Sequence, residues 1–229
     1  MYRINFVILV FLISAVTILS QNHFKKYPIK SGIIHYKWEG FIKGTQITYF
    51  DDYGYYEATY QDTKSTMMGF TTESKTITIM KGAEQVTINP ETKTGVRTIN
   101  PYLESFEDNP NKNYEDVSKK MIKNLGYEKT GKGEILGKTC EIFKGMGEIW
   151  IWNGISLKTT TDNMGIEATV TATEFIPEVN IPKEKFAIPS DVQVSDEDET
   201  MNGSDEEEMP EEAKDIMKNL KNMFKSDED

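Results

Sequence analysis

From residue 33 to residue 175 the chain is a succession of short runs in which apolar and polar side chains alternate, each ending at a cluster of turn-forming residues. A period of two is the mark of a half-buried strand, because successive side chains point to opposite faces. Ile34, Tyr36 and Trp38 alternate with His35 and Lys37. Residues 46–50 and 55–60 flank the turn composition Asp51, Asp52, Tyr53, Gly54. Residues 85–88 and 95–99 flank a second such loop at 89–94, and 76–80, 134–143, 148–152, 155–161 and 166–175 complete the series. Asn153-Gly154, between two of these runs, is the strongest hairpin signal in the chain. About ten short strands at this spacing predict a mainly β fold, a meandering antiparallel sheet.

Two helices are expected beside it. Tyr114, Val117, Met121, Ile122 and Leu125 form one apolar stripe, with Asn113 placed to cap its start and Gly126 to stop it. A second helix is expected from about Pro210 to Lys225, with Pro210 in the first turn and Ile216, Met217, Leu220, Met223 and Phe224 as its stripe.

Charge divides the chain more sharply than hydropathy does. The 229 residues carry a formal net charge of −11, but residues 195–229 hold 14 acidic side chains against four lysines. The folded body is therefore almost neutral and the tail is a polyanion. Residues 195–209 have few large apolar groups and are expected to be a disordered acidic linker. Nucleic acid, whose phosphates recruit Lys and Arg, is disfavoured as a partner.

At the other end, Arg3 precedes an uncharged run of fourteen residues, 6–19. As helix this spans about 21 Å, short of a hydrocarbon core of roughly 30 Å. Ser20 offers a small residue for cleavage, so residues 1–20 read as a signal peptide, with no cysteine nearby to take a lipid. The expected organisation is leader 1–20, a β domain 21–194, linker 195–209 and a helical tail 210–229, in a periplasmic or secreted protein. Cys140 is the only cysteine, which leaves no internal disulfide, and its strand-like setting predicts burial.

Motifs for chemistry fail on inspection. Residues 131–139 resemble a phosphate loop, but Gly137 lies six positions after Gly131 and four after Gly133, where five are needed. The segment also runs on into strand rather than helix, so a hairpin turn is the better reading. Asp196 to Asp198 has no glycine where a calcium loop requires one. Of the two histidines only His35 lies in a strand, on its polar side, with nothing in the sequence to place a nucleophile beside it. The expectation is a non-enzymatic protein with no cofactor and no metal.

The aromatic residues instead point to a covered apolar surface. Nine lie between Tyr36 and Tyr60, and Trp150 and Trp152 alternate with Ile149 and Ile151, so both faces of the sheet carry large groups. Such a sheet must cover both faces or leave one for binding. The sequences GEILGKTCEIF (133–143) and IWIWNGISLK (149–158), with the closing stretch 179–189, resemble exported bacterial proteins of the LolA-like superfamily. The resemblance covers roughly 27–192 and implies an incomplete antiparallel barrel whose concave apolar side is closed by helices. It implies binding of lipid moieties or lipoproteins there and no catalytic residues. The expected ligand is a lipid acyl chain or other apolar group, lined by Trp38, Tyr49, Ile79, Met121, Ile122, Trp150 and Trp152. The alternative is an interaction module, in which the C-terminal stripe of Ile216, Met217, Leu220, Met223 and Phe224 docks on a protein partner.

Overall fold

The computed structural model describes residues 23–196, except 68, 108, 110, 164 and 165. The leader 1–20 and the helical tail 210–229 lie outside the described residues, as do the five residues of the stripe at its end.

Among the described residues twelve strands form one sheet: β1 Gly32–Gly40, β2 Ile42–Asp51, β3 Tyr56–Met67, β4 Phe70–Lys81, β5 Glu84–Asn89, β6 Thr94–Ile99, β7 Glu128–Ile135, β8 Lys138–Lys144, β9 Gly147–Trp152, β10 Ile155–Asn163, β11 Ile166–Pro177 and β12 Gln193–Asp196. Their order is β12-β6-β5-β4-β3-β2-β1-β11-β10-β9-β8-β7. Two meanders, β1–β6 and β7–β11, are therefore joined where β1 pairs with β11, from Gly32↔Pro177 to Gly40↔Ala168. All neighbours are antiparallel except β12, which adds to β6 in parallel. Among the described residues the sheet ends at β7 and β12 and is an incomplete barrel.

Between β6, beside one edge, and β7, at the other, the chain passes through α1 Pro101–Glu107 and α2 Tyr114–Asn124. The helices thus connect one side of the sheet to the other, with α2 facing β8 and β9. The α2 cap is as its residues require: the Asn113 side chain accepts from the backbone N–H groups of Glu115 and Asp116, and Gly126, at φ +80°, ends the helix. Asn100 caps α1 in the same manner, accepting from Tyr102 and Leu103 N–H.

The expected hairpin at Asn153-Gly154 is present, both residues at positive φ, joining β9 to β10. Three elements go beyond the expectation. Residues 134–143 are not one strand but parts of two, split by a two-residue turn at Leu136-Gly137, again both at positive φ. α1 is additional, and so is β12, whose Ser195 and Asp196 stand at the start of the acidic stretch.

Three clusters make the core. Phe24, Tyr55, Ala83, Tyr102, Leu103 and Phe106 gather beneath the helices. Ile34, Phe50, Cys140, Ile155, Leu157 and Ala172 form the second, against which Trp150, Trp152 and Phe175 pack. Ala58, Ile79, Val86 and Ile88 form the third, covered by Phe186, Ile188 and Val192 from the strap that leads to β12 and by Val194 of β12. Cys140 is buried as expected, and burial pushes its thiol up.

Candidate functional site

Along β9 the side chains alternate, and this alternation builds the site. Trp150 and Trp152 turn into the second core, while Ile151 between them faces α2. On β8, Glu141 is the register partner of Ile151, and Thr139 and Phe143 line the same side. α2 stands over this surface, with Tyr114, Val117 and Met121 packed against the first core and none of its residues fully buried. The space between is a cleft of about 410 Å³. Its floor is Phe143 and Ile151, its wall is Tyr114, Met121 and Ile122 with Tyr102 from α1, and Asn153-Gly154 lies at one end.

Charge collects at the mouth. Lys119 Nζ is 2.6 Å from Glu115 Oε1, one turn earlier on α2, and 3.6 Å from Glu141 Oε2 across the cleft. Lys129 on β7 donates to the other oxygen of Glu141 at 2.5 Å. The Lys129 hydrogen bond, helped by Lys119, holds the Glu141 carboxyl below the usual range. The Glu115 hydrogen bond holds the Lys119 ammonium above its usual value. These contacts tie α2 to β8 over an apolar floor. Lys132, Ser118 and Thr139 add hydrogen-bonding groups to the same mouth.

Near the cleft lies a polar cluster set into the core. Lys26 Nζ is 3.0 Å from Glu57 Oε2, with both side chains largely buried, and Tyr27 donates its hydroxyl to the same oxygen at 2.7 Å. Tyr36 donates to the Ser156 carbonyl at 2.9 Å. Burial first, then the Glu57 charge, lifts the Tyr27, Tyr36 and Tyr114 phenols well above the ordinary tyrosine value, so all three stay neutral hydrogen-bonding groups. The cluster fastens the N-terminal segment to β3. It is satisfied internally, as buried charge must be.

Of the seven residues singled out from the sequence, the structure brings Met121 and Ile122 into the cleft. The others lie elsewhere. Trp150 and Trp152 pack on the second core. Ile79 is buried in the third. Tyr49 packs edge-on to Tyr60 under Lys185 of the strap. Trp38 donates to Gln46 on the open surface of the β1–β2 hairpin. The cleft residues that sequence reasoning passed over are Phe143, Ile151 and Tyr102. The parity of β9 carried a signal for Ile151, because large groups on both faces put it opposite the tryptophans.

The histidines are engaged away from the cleft. His23 stacks on Tyr55 at 3.7 Å and meets Asp52, and His35 lies 3.7 Å from Glu174. Among the described residues no group of three or more His, Cys, Asp or Glu side chains could hold a metal ion.

The chain matches no family model and no curated protein. Among solved structures it is similar to an uncharacterised conserved protein from Thermus thermophilus, at 11% identity and a TM-score of 0.48, over 74% of this chain and 91% of that one. PNGF-II is similar at 12% identity and a TM-score of 0.40, over 76% of this chain but only 32% of its own length. A domain described as an outer membrane lipoprotein-sorting protein from Vibrio parahaemolyticus is similar at 10% identity and a TM-score of 0.30, over 69% of this chain and 89% of that one.

Proposed function

We propose that this chain is an exported, non-enzymatic binding protein that shelters an acyl chain or comparable apolar group in the cleft under α2. The observation that carries the reading is the cleft itself. An apolar floor of Phe143 and Ile151, an adaptable wall that includes Met121, and a mouth of Lys, Glu and hydroxyl groups suit a molecule with one apolar and one polar end. Its volume falls in the range of about 300–1,000 Å³ typical of small-molecule sites. Burying ten methylenes would contribute about 8 kcal/mol before the costs of association. The leader read in residues 1–20 supports export, which would put the site where free lipids and lipid-modified proteins occur.

Native mass spectrometry of the purified protein, with extraction of bound lipid, tests the reading. Met121→Trp, which fills the cleft with a larger side chain, is expected to abolish uptake of a fluorescent fatty acid while the fold persists by circular dichroism. A wild-type protein that binds no member of a fatty-acid and phospholipid series defeats the proposal. Equal uptake by wild type and variant would place binding elsewhere.

A further inference from the structure

The antiparallel order fixes which loops share an end of the sheet. The turns β1–β2, β3–β4, β8–β9 and β10–β11 all lie at one end, and their eight strands are contiguous: β4-β3, β2-β1, β11-β10, β9-β8. Register makes them level. Ser65 pairs with Ile42 next to the first turn, Gly40 with Ala168, and Thr161 with both Ala168 and Gly147, so one line runs across all four hairpins. Phe41 and Met146 stand one residue past that line and Phe70 and Ile166 two, roughly 3–7 Å.

Large apolar groups project there among polar ones. Phe70 is 79% exposed at the β3–β4 turn and Met146 is 77% exposed at the β8–β9 turn. Ile166, 42% exposed, opens β11, and half-buried Phe41 forms the β1–β2 turn. At the opposite end three turns are engaged by the N-terminal segment and α1, since Gly54 and Gly154 abut Tyr27 and Lys26 and Ala83 N–H is bound by Glu107, while the β7–β8 turn is open with Leu136 43% exposed. The most exposed large apolar group there is Ile99, at 52%.

We propose that this row of turns rests on a lipid bilayer, its apolar tips entering the headgroup region. Neighbouring hairpins are two strands apart, about 10 Å, and the row runs roughly 29 Å from β3–β4 to β8–β9. Separate level tips of this spacing enter a fluid interface, and a projection of roughly 3–7 Å reaches the depth of about 5–10 Å at which apolar side chains sit there. Charge selects the lipid. Lys37, Lys64 and Lys144 are matched by Glu39, Glu73 and Glu148 at 2.8, 3.3 and 3.0 Å, while Lys43 shares the same end with Asp62, Asp162 and Glu167. The row has no positive excess, and residues 195–229 are strongly acidic. The surface it fits is zwitterionic, held by apolar contact rather than by attraction to anionic headgroups.

The test is co-sedimentation of the purified full chain with phosphatidylcholine vesicles, compared with phosphatidylserine-rich vesicles and at low and high salt. Wild type is expected to bind phosphatidylcholine at least as well as the anionic vesicles, with no weakening in salt. The surface variant Phe70→Ser/Met146→Ser is expected to lose at least tenfold in partitioning with an unchanged melting curve. The variant Phe70→Trp is expected to gain emission that brominated acyl chains quench. Absence of vesicle binding, binding that survives the double substitution, or binding that needs anionic lipid overturns the proposal. So does a solution dimer abolished by the same substitutions, which would assign the row to a second copy.

Discussion

Two apolar surfaces of this sheet are covered in different ways. Over β3–β5 the cover is a strap, residues 179–192, interrupted by one short helical turn at Lys183–Phe186, whose Phe186, Ile188 and Val192 settle onto Ala58, Ile79, Val86 and Ile88. Over β8 and β9 the cover is α2, a rigid cylinder held by side chains at its edges and ends, and a cleft remains beneath it. A segment without long regular structure can adjust to the surface of a sheet residue by residue, and so it seals. A helix meets a twisted sheet along a limited line and leaves volume wherever its side chains fall short. The same chain therefore has one half built as core and another built with a gap in it.

Large-to-small substitutions would expose the difference most strongly. Ile88→Ala is expected to cost about 2–5 kcal/mol in denaturant unfolding, because the strap cannot collapse onto the space. Met121→Ala, at the cleft wall, is expected to cost about 1 kcal/mol or less, since its side chain already borders empty volume. Equal losses at the two positions would show that α2 seals as tightly as the strap.

Gly133→Ala probes the outer edge of the α2-covered half. A Cβ there would meet the Trp150 ring at 2.2 Å, displacing an aromatic group that packs on the second core. A loss of about 1–3 kcal/mol in thermal or chemical unfolding is expected. The smallest effect concerns the charges across the cleft. Glu141 has a lowered folded-state value, so its contribution is present above the ordinary carboxyl range near about pH 4.3 and is lost as pH falls through the folded value. Lys119 has a raised value, so its contribution is present below the ordinary lysine range and disappears as pH rises beyond it. Both side chains are partly exposed, which limits the effect to below about 1 kcal/mol. Glu141→Gln is expected to flatten the acid limb of the stability profile by that amount.

Much of the sheet was legible because local and tertiary demands agree. Asn153-Gly154 is a turn in any context, and Asn113 with Gly126 delimits a helix wherever its stripe is buried. A hairpin turn within 131–139 was legible, but its placement at Leu136-Gly137 was not, since a leucine at positive φ is chosen by the closure of two strands and not by its own preference. β12 is four residues of mostly polar sequence made into strand only by the edge of β6. The site was less legible than the fold. Met121 and Ile122 could be chosen from the α2 stripe, but which face of β9 lay under them depended on how a distant helix crosses the sheet. The tryptophans, being the largest groups, drew attention to the side that became core.

The junction of β1 with β11 has a consequence for the order in which the molecule can form. As the chain leaves the ribosome, β1–β6 can pair successively, but β1 keeps an open hydrogen-bonding edge until residues 168–177 have been made. The centre of the finished sheet is thus sewn from its first and last long strands, a non-local closure of the slow kind. Until that seam is made, the nascent protein carries an unprotected strand edge in its middle, open to pairing with other chains. Any truncation before residue 168 should leave it in that condition permanently.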